Sequence, residues 1–316
     1  MLNFSKIFIP TRPQTDTIIA IFLLKKFGNK KFPGILDAEI ICAPTLPANE
    51  NEKTLLEKGI LCIDIGGGDF DHHNKIEKTT SSNLIAKELG IEDDKSITKM
   101  LMLAERCDFY GKGTISEDAL DRAFGLSGMI VTLNKTYSSA PEKVVKIILP
   151  LLEAHYQEEL KRNYLLPELF NKQLADGTAE EFTIKQKDKN LKVVIVESDD
   201  SSMSGFLRSV GGGRHDVVAQ WSEKGYLNIT TRPTKRPNLS KLTATIRKAE
   251  LLIKGDNLDY SYQDLSKVGK IKEVEQWYYD TATNSLLNGS TNPGDTTKTN
   301  IERRKLRQIL EIGLTI

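Results

Sequence analysis

The residues best suited to chemistry stand together in one short segment, Cys62–His73. Asp64 comes directly after an apolar run, three glycines follow it, and Asp71, His72 and His73 come next. An ionised carboxylate at the end of a buried strand costs free energy unless it is paired or bound to a metal. Histidine together with carboxylates is a ligand set that suits Mn²⁺, Zn²⁺ or Mg²⁺. The segment therefore predicts a metal site; the plainer alternative is a capping aspartate beside a surface histidine pair.

The chain on both sides of this segment alternates apolar strands with helices. Strands are predicted at residues 6–9, 39–42 and 59–65, and helices at 17–27, 52–58, 82–89 and 96–106. The third strand has no alternation of polar and apolar residues, which is typical of a parallel sheet covered on both faces. The pattern predicts a mostly parallel, three-layer α/β domain. In such domains ligands bind beyond the carboxyl ends of the strands.

The remaining chain divides into two further parts. Residues 117–178 carry apolar residues at helical spacing and are predicted to be a helical connector between a first domain (1–116) and a second domain (179–316). Strands are predicted at 182–185, 191–196, 216–221 and 226–231, and a helix at 238–254. These elements predict a second, smaller α/β domain, with the active-site cleft between the two domains. The stretch 284–300 is rich in Asn, Gly, Ser and Thr, which predicts a mobile surface loop.

Composition limits the class of protein. A chain of 316 residues is long enough for two domains. A net charge of +1 argues against a protein that coats nucleic acid. No apolar stretch approaches the ~18–20 residues that span a bilayer, and Met1–Pro10 fits a first strand better than a signal peptide. The three cysteines have no paired spacing, which favours free thiols in a reducing compartment. We therefore expect a cytoplasmic protein without a membrane segment.

Residues 60–89 resemble the DHH phosphoesterase superfamily, which is named for the triad seen here as Asp71-His72-His73. The nearest resemblance is to the Myg-type hydrolases. There, an aspartate-bearing strand and glycines also lead into the triad, and a Thr/Ser-rich turn then opens a helix, as residues 79–85 do here. The resemblance implies an exonuclease-like, metal-dependent phosphoesterase or phosphodiesterase. Its expected substrate is a nucleotide or a short single-stranded nucleic acid.

The resemblance also implies which residues hold metal. The matched ligands are Asp16, Asp64, His72 and Asp108. His73 matches the residue that faces the substrate phosphate and is the implied catalytic residue. The chain departs from the family in the first motif, where one carboxylate position falls on Gln14 and the histidine position on or near Pro10. One tightly bound ion is therefore expected, with Mn²⁺ favoured and Mg²⁺ or Zn²⁺ as alternatives, and a second ion arriving with substrate.

Two of these ligands have plainer interpretations. Asp16 stands where it would cap the predicted helix 17–27. Asp108 follows the predicted helix 96–106, where it would be an ordinary polar residue, although an acid is poorly placed at the negative end of a helix.

A glycine-rich segment in the second domain resembles a motif of the companion domain in many DHH enzymes. It consists of Gly211, Gly212, Gly213, Arg214 and His215. Successive glycines can expose their N–H groups to an anion, and arginine and histidine can hold phosphate oxygens. All five are therefore implied substrate-binding residues. The alternative is a plain glycine-rich turn, and the motif also departs from the family's order because the strand that usually precedes it follows it here.

Two other functions stay open at this stage. The first is a catalytically silent DHH-like protein that binds nucleotide or nucleic acid as a sensor or partner. The second is a metal-dependent hydrolase of a non-phosphate ester, because a metal site does not by itself name its substrate. The expected partner is a phosphate-containing small molecule or a short oligonucleotide, and a homodimer is left open.

Overall fold

The computed structural model describes residues 2–111, 113–256, 259–289 and 296–315. It has a mixed α/β architecture with a three-stranded parallel sheet and a six-stranded mixed sheet. The chain divides into two compact units, Met1–Leu160 and Lys161–Ile316. Each unit encloses hydrophobic core of its own. Among the described residues, no helix combines the length and the apolar character that crossing a membrane requires.

The described part of the first unit contains three strands and seven α-helices. In chain order they are β1 (Lys6–Pro10), α1 (Thr15–Phe27), β2 (Glu39–Ala43), α2 (Glu52–Glu57), β3 (Ile60–Cys62), α3 (Ser81–Leu89), α4 (Thr98–Tyr110), α5 (Ala119–Phe124), α6 (Leu126–Thr136) and α7 (Glu142–Leu160). The strands pair in the order β2-β1-β3, and both pairs are parallel. The predicted parallel sheet is thus confirmed.

The central strand and the first helix form the middle of this unit. Ile7 and Ile9 of β1 are fully buried, and so are most residues of α1 between Thr15 and Leu24. A helix that is apolar on nearly all sides has to be covered, and α1 contacts α3, α4 and α7. Because β1 and β3 are parallel neighbours, the loops that follow them begin at the same edge of the sheet.

Two predicted boundaries in this unit are wrong in ways that matter for the site. The strand predicted at 59–65 ends at Cys62, because the backbone turns at Asp64 (φ 61°) and again at Gly66 (φ 90°). The helix predicted at 96–106 continues to Tyr110, so Asp108 lies in its last turn rather than beyond it.

The predicted connector is helical in all its regular elements, but much of it belongs to the first unit. Four residues of α7, spaced four apart, lie in the core of that unit: Val144, Ile148, Leu152 and Tyr156. This spacing puts them on one face of the helix. The division between the units falls after Leu160, inside the segment predicted to connect two domains.

The described part of the second unit contains five α-helices and six strands. A π-helical turn (Lys161–Leu165) precedes α8 (Leu166–Asp176), β4 (Glu180–Gln186), β5 (Lys189–Glu197), α9 (Ser201–Arg208), β6 (Val217–Trp221), β7 (Leu227–Thr231), α10 (Ser240–Ile253), α11 (Tyr262–Leu265), β8 (Tyr278–Asp280), β9 (Ser285–Leu287) and α12 (Arg303–Leu314). The strand order is β4-β5-β6-β7-β9-β8, and β5 pairs with β6 in parallel while the other pairs are antiparallel.

The loop predicted at 284–300 is wrong over its first part. Strand β9 lies in it, and Asn288 is fully buried with its side-chain amide donating to the carbonyls of Gln276 and Thr297. Polar composition alone did not reveal these buried partners. Residues 290–295 of the predicted loop lie outside the described residues.

Candidate metal centre

The loop after β3 places the aspartate and the histidines. The Ile63 amide still donates to the Phe8 carbonyl at 2.9 Å, which continues the pairing with β1. Asp64 then takes a left-handed backbone conformation with φ 61°, which Asp and Asn tolerate better than other non-glycine residues. The Asp64 amide donates to the Phe70 carbonyl at 3.1 Å, which closes the loop. The chain therefore returns to Asp64 just before His72.

His72 lies among three carboxylates from three separate parts of the first unit. Its Nε2 atom is 3.1 Å from Oδ1 of Asp64 and 3.9 Å from Oδ2 of Asp16. Its Nδ1 atom is 3.4 Å from Oδ2 of Asp108. The structure thus brings together the four residues that the resemblance implies as ligands.

The donor set fits a divalent ion. Asp64, His72 and His73 each offer a ligand atom, and these atoms lie within 4.8 Å of one another. Nδ1 of His73 is also 2.7 Å from Oδ1 of Asp71, so Asp64 and His72 are the two of this group that are left for an ion. Neighbouring ligands around an ion with bonds of about 2.1 Å are expected to be about 3.0–3.4 Å apart. The separation between His72 Nε2 and Asp64 Oδ1, at 3.1 Å, falls in this range. Imidazole nitrogen with carboxylate oxygens is a set that Mn²⁺ and Zn²⁺ accept.

Asp108 stands on the other side of the imidazole from the remaining carboxylates. A histidine that binds metal through one ring nitrogen usually donates the other N–H to a carboxylate or carbonyl. With Nε2 facing Asp16 and Asp64, the Nδ1 atom is left to Asp108. Asp108 is therefore better placed to orient His72 than to share an ion with the other two carboxylates, and its expected role as a ligand stays a prediction.

Asp16 caps a helix, but not the helix 17–27 that it was predicted to cap. It is 3% exposed, and its two carboxylate oxygens accept hydrogen bonds from the backbone amides of Ser81 (2.9 Å) and Ser82 (2.8 Å). These amides begin α3, so Asp16 caps α3 rather than the helix that contains it. Burial, with a contribution from the charge of Asp64, raises the pKa of Asp16 despite the hydrogen bonds from Ser82 and Ser81.

A protonated His72 can offset the negative charge of the three aspartates around it. Among the described residues, no Lys or Arg forms an ion pair with Asp16, Asp64 or Asp108. The hydrogen bond to Asp64, joined by the charges of the nearby aspartates, outweighs burial and raises the pKa of His72 to about 9. The carboxylates thus favour a cation at this position, which is either the imidazolium or a metal ion.

Asp71 orients His73, and sequence reasoning gave it no role. Its Oδ1 accepts the backbone N–H of His73 at 3.1 Å and lies 2.7 Å from the Nδ1 atom of that ring, while its Oδ2 accepts the Gly67 amide at 2.8 Å. Burial opposes ionisation of Asp71, but the hydrogen bonds from Gly67 and His73 hold its pKa below the usual value. An aspartate two residues before its partner can form this local turn, so the spacing was the available signal.

The orientation of His73 leaves one nitrogen outward. The side chain is 62% exposed, while the Asp71 contact occupies Nδ1. The Nε2 atom is the one left for a ligand in solution.

Thr17 is a second residue that sequence reasoning missed. It is fully buried, and its hydroxyl donates to Oδ2 of Asp64 at 2.6 Å while accepting the backbone N–H of Gln14 at 3.3 Å. Oδ1 of Asp64 is left facing the histidines and Ser81. Pro10 ends β1 and Gln14 precedes α1, so the first motif supplies neither an imidazole nor a second carboxylate.

His215 does not match its expected role. It is 3% exposed, its Nδ1 atom is 3.0 Å from the Leu207 carbonyl, and its Nε2 atom is 2.6 Å from Oε1 of Glu181. Both ring nitrogens are thus engaged inside the second unit. The expectation that His215 binds phosphate is corrected to a structural role.

The glycine segment itself closes the end of α9. The amides of Gly213, Arg214 and His215 donate to the carbonyls of residues 210, 209 and 207. A Cβ atom on Gly212 would lie 2.2 Å from the Phe206 carbonyl oxygen, so the turn requires glycine there. The arrangement fits the plain turn, and the binding of an anion by Gly211, Gly212 and Gly213 stays a prediction. Arg214 is exposed, and its contact with phosphate stays a prediction.

Comparisons with known proteins add no family. No protein-family model matches the chain, and no curated protein matches it. One solved structure, the crystal structure of an uncharacterized protein from Helicobacter pylori G27, is 12% identical and covers 98% of this chain and 99% of that chain, with a TM-score of 0.23. A TM-score this low does not indicate a common fold.

Proposed function

We propose that the chain is a metal-dependent phosphoesterase of the DHH type that hydrolyses a nucleotide or a short single-stranded nucleic acid. Asp16, Asp64 and His72 would hold one divalent ion, with Mn²⁺ favoured. The observation that supports this most is the convergence of Asp16, Asp64 and Asp108 on the two nitrogens of His72. An Asp-His-His triplet alone is common, whereas three carboxylates from distant segments around one imidazole are not expected by chance.

The proposal includes the finer features expected from the sequence. These are a three-layer arrangement of the first domain and a cytoplasmic location. Free thiols at Cys42, Cys62 and Cys107 are consistent with a reducing compartment.

The roles of the side chains follow from their contacts. A bound ion would polarise a phosphoryl oxygen and lower the pKa of a coordinated water. Thr17 fixes the Asp64 carboxylate, and Asp108 fixes the imidazole of His72. When the Nδ1–H group of His73 donates a hydrogen bond to Asp71, the Nε2 atom of the ring faces solvent. There Nε2 can accept a proton, or donate to a phosphate oxygen when it is protonated. His73 is therefore the proposed catalytic residue.

Metal uptake and turnover test the proposal together. After loading with Mn²⁺ and desalting, elemental analysis is expected to find about one ion per chain. The loaded protein is then incubated with mononucleotides, short labelled oligonucleotides and a carboxylic ester, in Mn²⁺, Mg²⁺ or Zn²⁺. Phosphate-ester hydrolysis is expected, and His72→Gln should abolish it together with metal uptake.

His155 offers a matched control, because it is exposed on α7 and lies outside the site. His155→Gln should retain both metal and activity. His73→Ala should retain the ion but lower kcat by about 10²–10³-fold, because it acts on charge that develops in the reaction. A wild-type chain that takes up no ion, or that hydrolyses only the carboxylic ester, contradicts the proposal.

A second candidate is a catalytically silent protein that binds nucleotide or nucleic acid as a sensor or partner. The observation that favours it is the absence of ligands at Pro10 and Gln14, which leaves one metal position with Asp64 alone. This candidate predicts that the metal-loaded chain binds nucleotide without turning it over. Single-turnover assays with enzyme in excess would separate a slow enzyme from a silent binder.

A further inference from the structure

A cavity of about 770 Å³ lies beside the metal centre in the first unit. Its wall includes Thr15 and Cys107, the residues that directly precede Asp16 and Asp108 in the chain. Pockets for small molecules usually enclose roughly 300–1,000 Å³. The cavity thus has the size for a small ligand and adjoins the candidate metal centre at Thr15 and Cys107.

The charged residues that line the cavity are all cations. Arg12, Arg122 and Lys135 line it, all three are exposed, and no acidic side chain is among its lining residues. In the part of the chain that the structure describes, none of these cations forms an ion pair. Like charges facing one space repel each other, so an anion bound between them lowers the free energy.

The neutral lining adds an apolar surface. Val131 is 55% exposed and lines the cavity. The side-chain amide of Asn134 donates to the Pro13 carbonyl at 2.9 Å and its Oδ1 atom is buried, so this amide is part of the wall rather than a contact for a ligand. The ligand that fits combines an anionic group with an apolar face.

We propose that this cavity binds a nucleoside monophosphate, with Arg12, Arg122 and Lys135 on the phosphate and Val131 beside the nucleoside. Guanidinium groups match phosphate oxygens in geometry and charge. This phosphate site then lies in the first unit, beside the candidate metal centre. The identity of this ligand as substrate or product rests on the proposed function, but its binding does not.

AMP binding measured without metal tests the cavity separately from the metal centre. Calorimetry on the full chain in a chelator, with AMP and adenosine as a pair, tests the need for the phosphate. AMP is expected to bind, and adenosine at least ten-fold more weakly. Arg12→Ala and Arg122→Ala should each weaken AMP binding by about 10- to 150-fold, which corresponds to loss of a charge-assisted contact. Lys146→Ala removes an exposed cation of the same unit outside the cavity and should change nothing.

Gln14 supplies a variant that keeps size and fold. Gln14 lines the cavity and stands at the N-cap of α1. Gln14→Glu adds a negative charge that is favourable at a helix N-terminus but repels phosphate. It should leave the melting temperature unchanged or raised while weakening AMP binding and leaving adenosine binding unaffected.

The outcomes separate this proposal from the proposed function. His72→Gln should lose metal uptake yet bind AMP in chelator as the wild type does. The cavity proposal is overturned if the wild type binds no AMP, if adenosine binds equally well, or if the Arg12 and Arg122 variants bind AMP normally. Failure of the wild type to take up metal, with the AMP pattern intact, would remove the proposed function and leave the cavity assigned.

Discussion

Asp64 combines an unusual backbone conformation with a carboxylate whose two oxygens are both in use. Its φ of 61° ends β3 and starts the glycine turn. Oδ2 accepts the hydroxyl of Thr17, and Oδ1 faces His72 and His73. Backbone strain of this kind is concentrated at functional sites. Here the left-handed conformation of Asp64 directs its carboxylate towards His72 and His73.

Asp64→Asn separates the charge of this residue from its shape. Asparagine tolerates the same left-handed backbone and has nearly the same size, so the fold should be retained. Mn²⁺ affinity should fall by at least about tenfold, since a charged ligand becomes neutral, and hydrolysis should be lost. Equilibrium dialysis with Mn²⁺ and circular dichroism would measure the two effects. Full metal content in the folded variant would place the ion elsewhere.

The protonation of His72 predicts how metal binding depends on pH. In the metal-free chain the neighbouring aspartates raise the pKa of His72 to about 9 from an ordinary value of 6.5. Because the pKa is raised, the imidazolium stabilises the metal-free fold fully below pH 6.5, and this contribution is lost as pH rises through about 9. An ion that binds Nε2 has to displace this proton.

Mn²⁺ affinity should therefore rise with pH between 6.5 and about 9, by up to about tenfold per pH unit. Calorimetry in buffers of different ionisation enthalpy should show a proton released with each ion bound. His155→Gln serves as the control and should behave as the wild type. A Mn²⁺ affinity that is constant from pH 7 to pH 9 would mean that the ion displaces no proton from His72. That result would exclude His72 as a ligand.

At the scale of elements, the turn between α9 and β6 shows how one glycine differs from its neighbour. A Cβ atom on Gly212 would lie 2.2 Å from the Phe206 carbonyl oxygen and 2.6 Å from the Cα atom of Leu207. A Cβ atom on Gly211 would meet nothing closer than 3.7 Å. The first contact requires the backbone to move, whereas the second is ordinary van der Waals contact.

Gly212→Ala should lower the free energy of unfolding by about 1–3 kcal/mol, as overpacking does. Gly211→Ala, the matched control, should change it by less than about 0.5 kcal/mol. Urea denaturation followed by tryptophan fluorescence would measure both. Equal and small effects would mean that the turn adjusts and that glycine is not required there.

At the scale of the whole molecule, the candidate site and its supporting core belong to the first unit. The candidate site residues lie between residues 16 and 108, and the core around them extends through Tyr156 of α7. A boundary placed at residue 116 would remove α6 and α7 from that core. The division after Leu160 keeps the core whole.

A fragment of residues 1–160 should therefore fold alone and take up about one Mn²⁺ per chain. A fragment of residues 1–116 should fail to fold stably, because Val144, Ile148 and Leu152 then no longer cover the core. Circular dichroism, thermal melting and elemental analysis would test this, with His72→Gln in the longer fragment as the control. A folded 1–160 fragment without metal, beside a full chain that holds it, would contradict the prediction.

The sequence by itself determined the alternating strands and helices of the first unit and named the residues that the structure brings together around His72. Apolar runs and glycines marked β1, β3 and α3, because local propensity and burial leave a periodic signal. The rule that ligands bind beyond the carboxyl ends of parallel strands applies to Asp16, in the first turn of the helix after β1, and to Asp64, in the loop after β3. The contact of Asp71 with His73 was missed, although a spacing of two residues is typical of this local turn.

Only the tertiary structure decided what each side chain contacts. Asp16 caps α3 across 65 residues of chain, Thr17 reaches Asp64 across 47, and Asp108 faces Nδ1 of His72 because α4 continues past residue 106. The burial of His215 and the cavity lined by Arg12, Arg122 and Asn134 likewise join distant segments. Sequence periodicity records which face of an element is buried, whereas the direction of a polar side chain depends on partners that only the packed chain brings near.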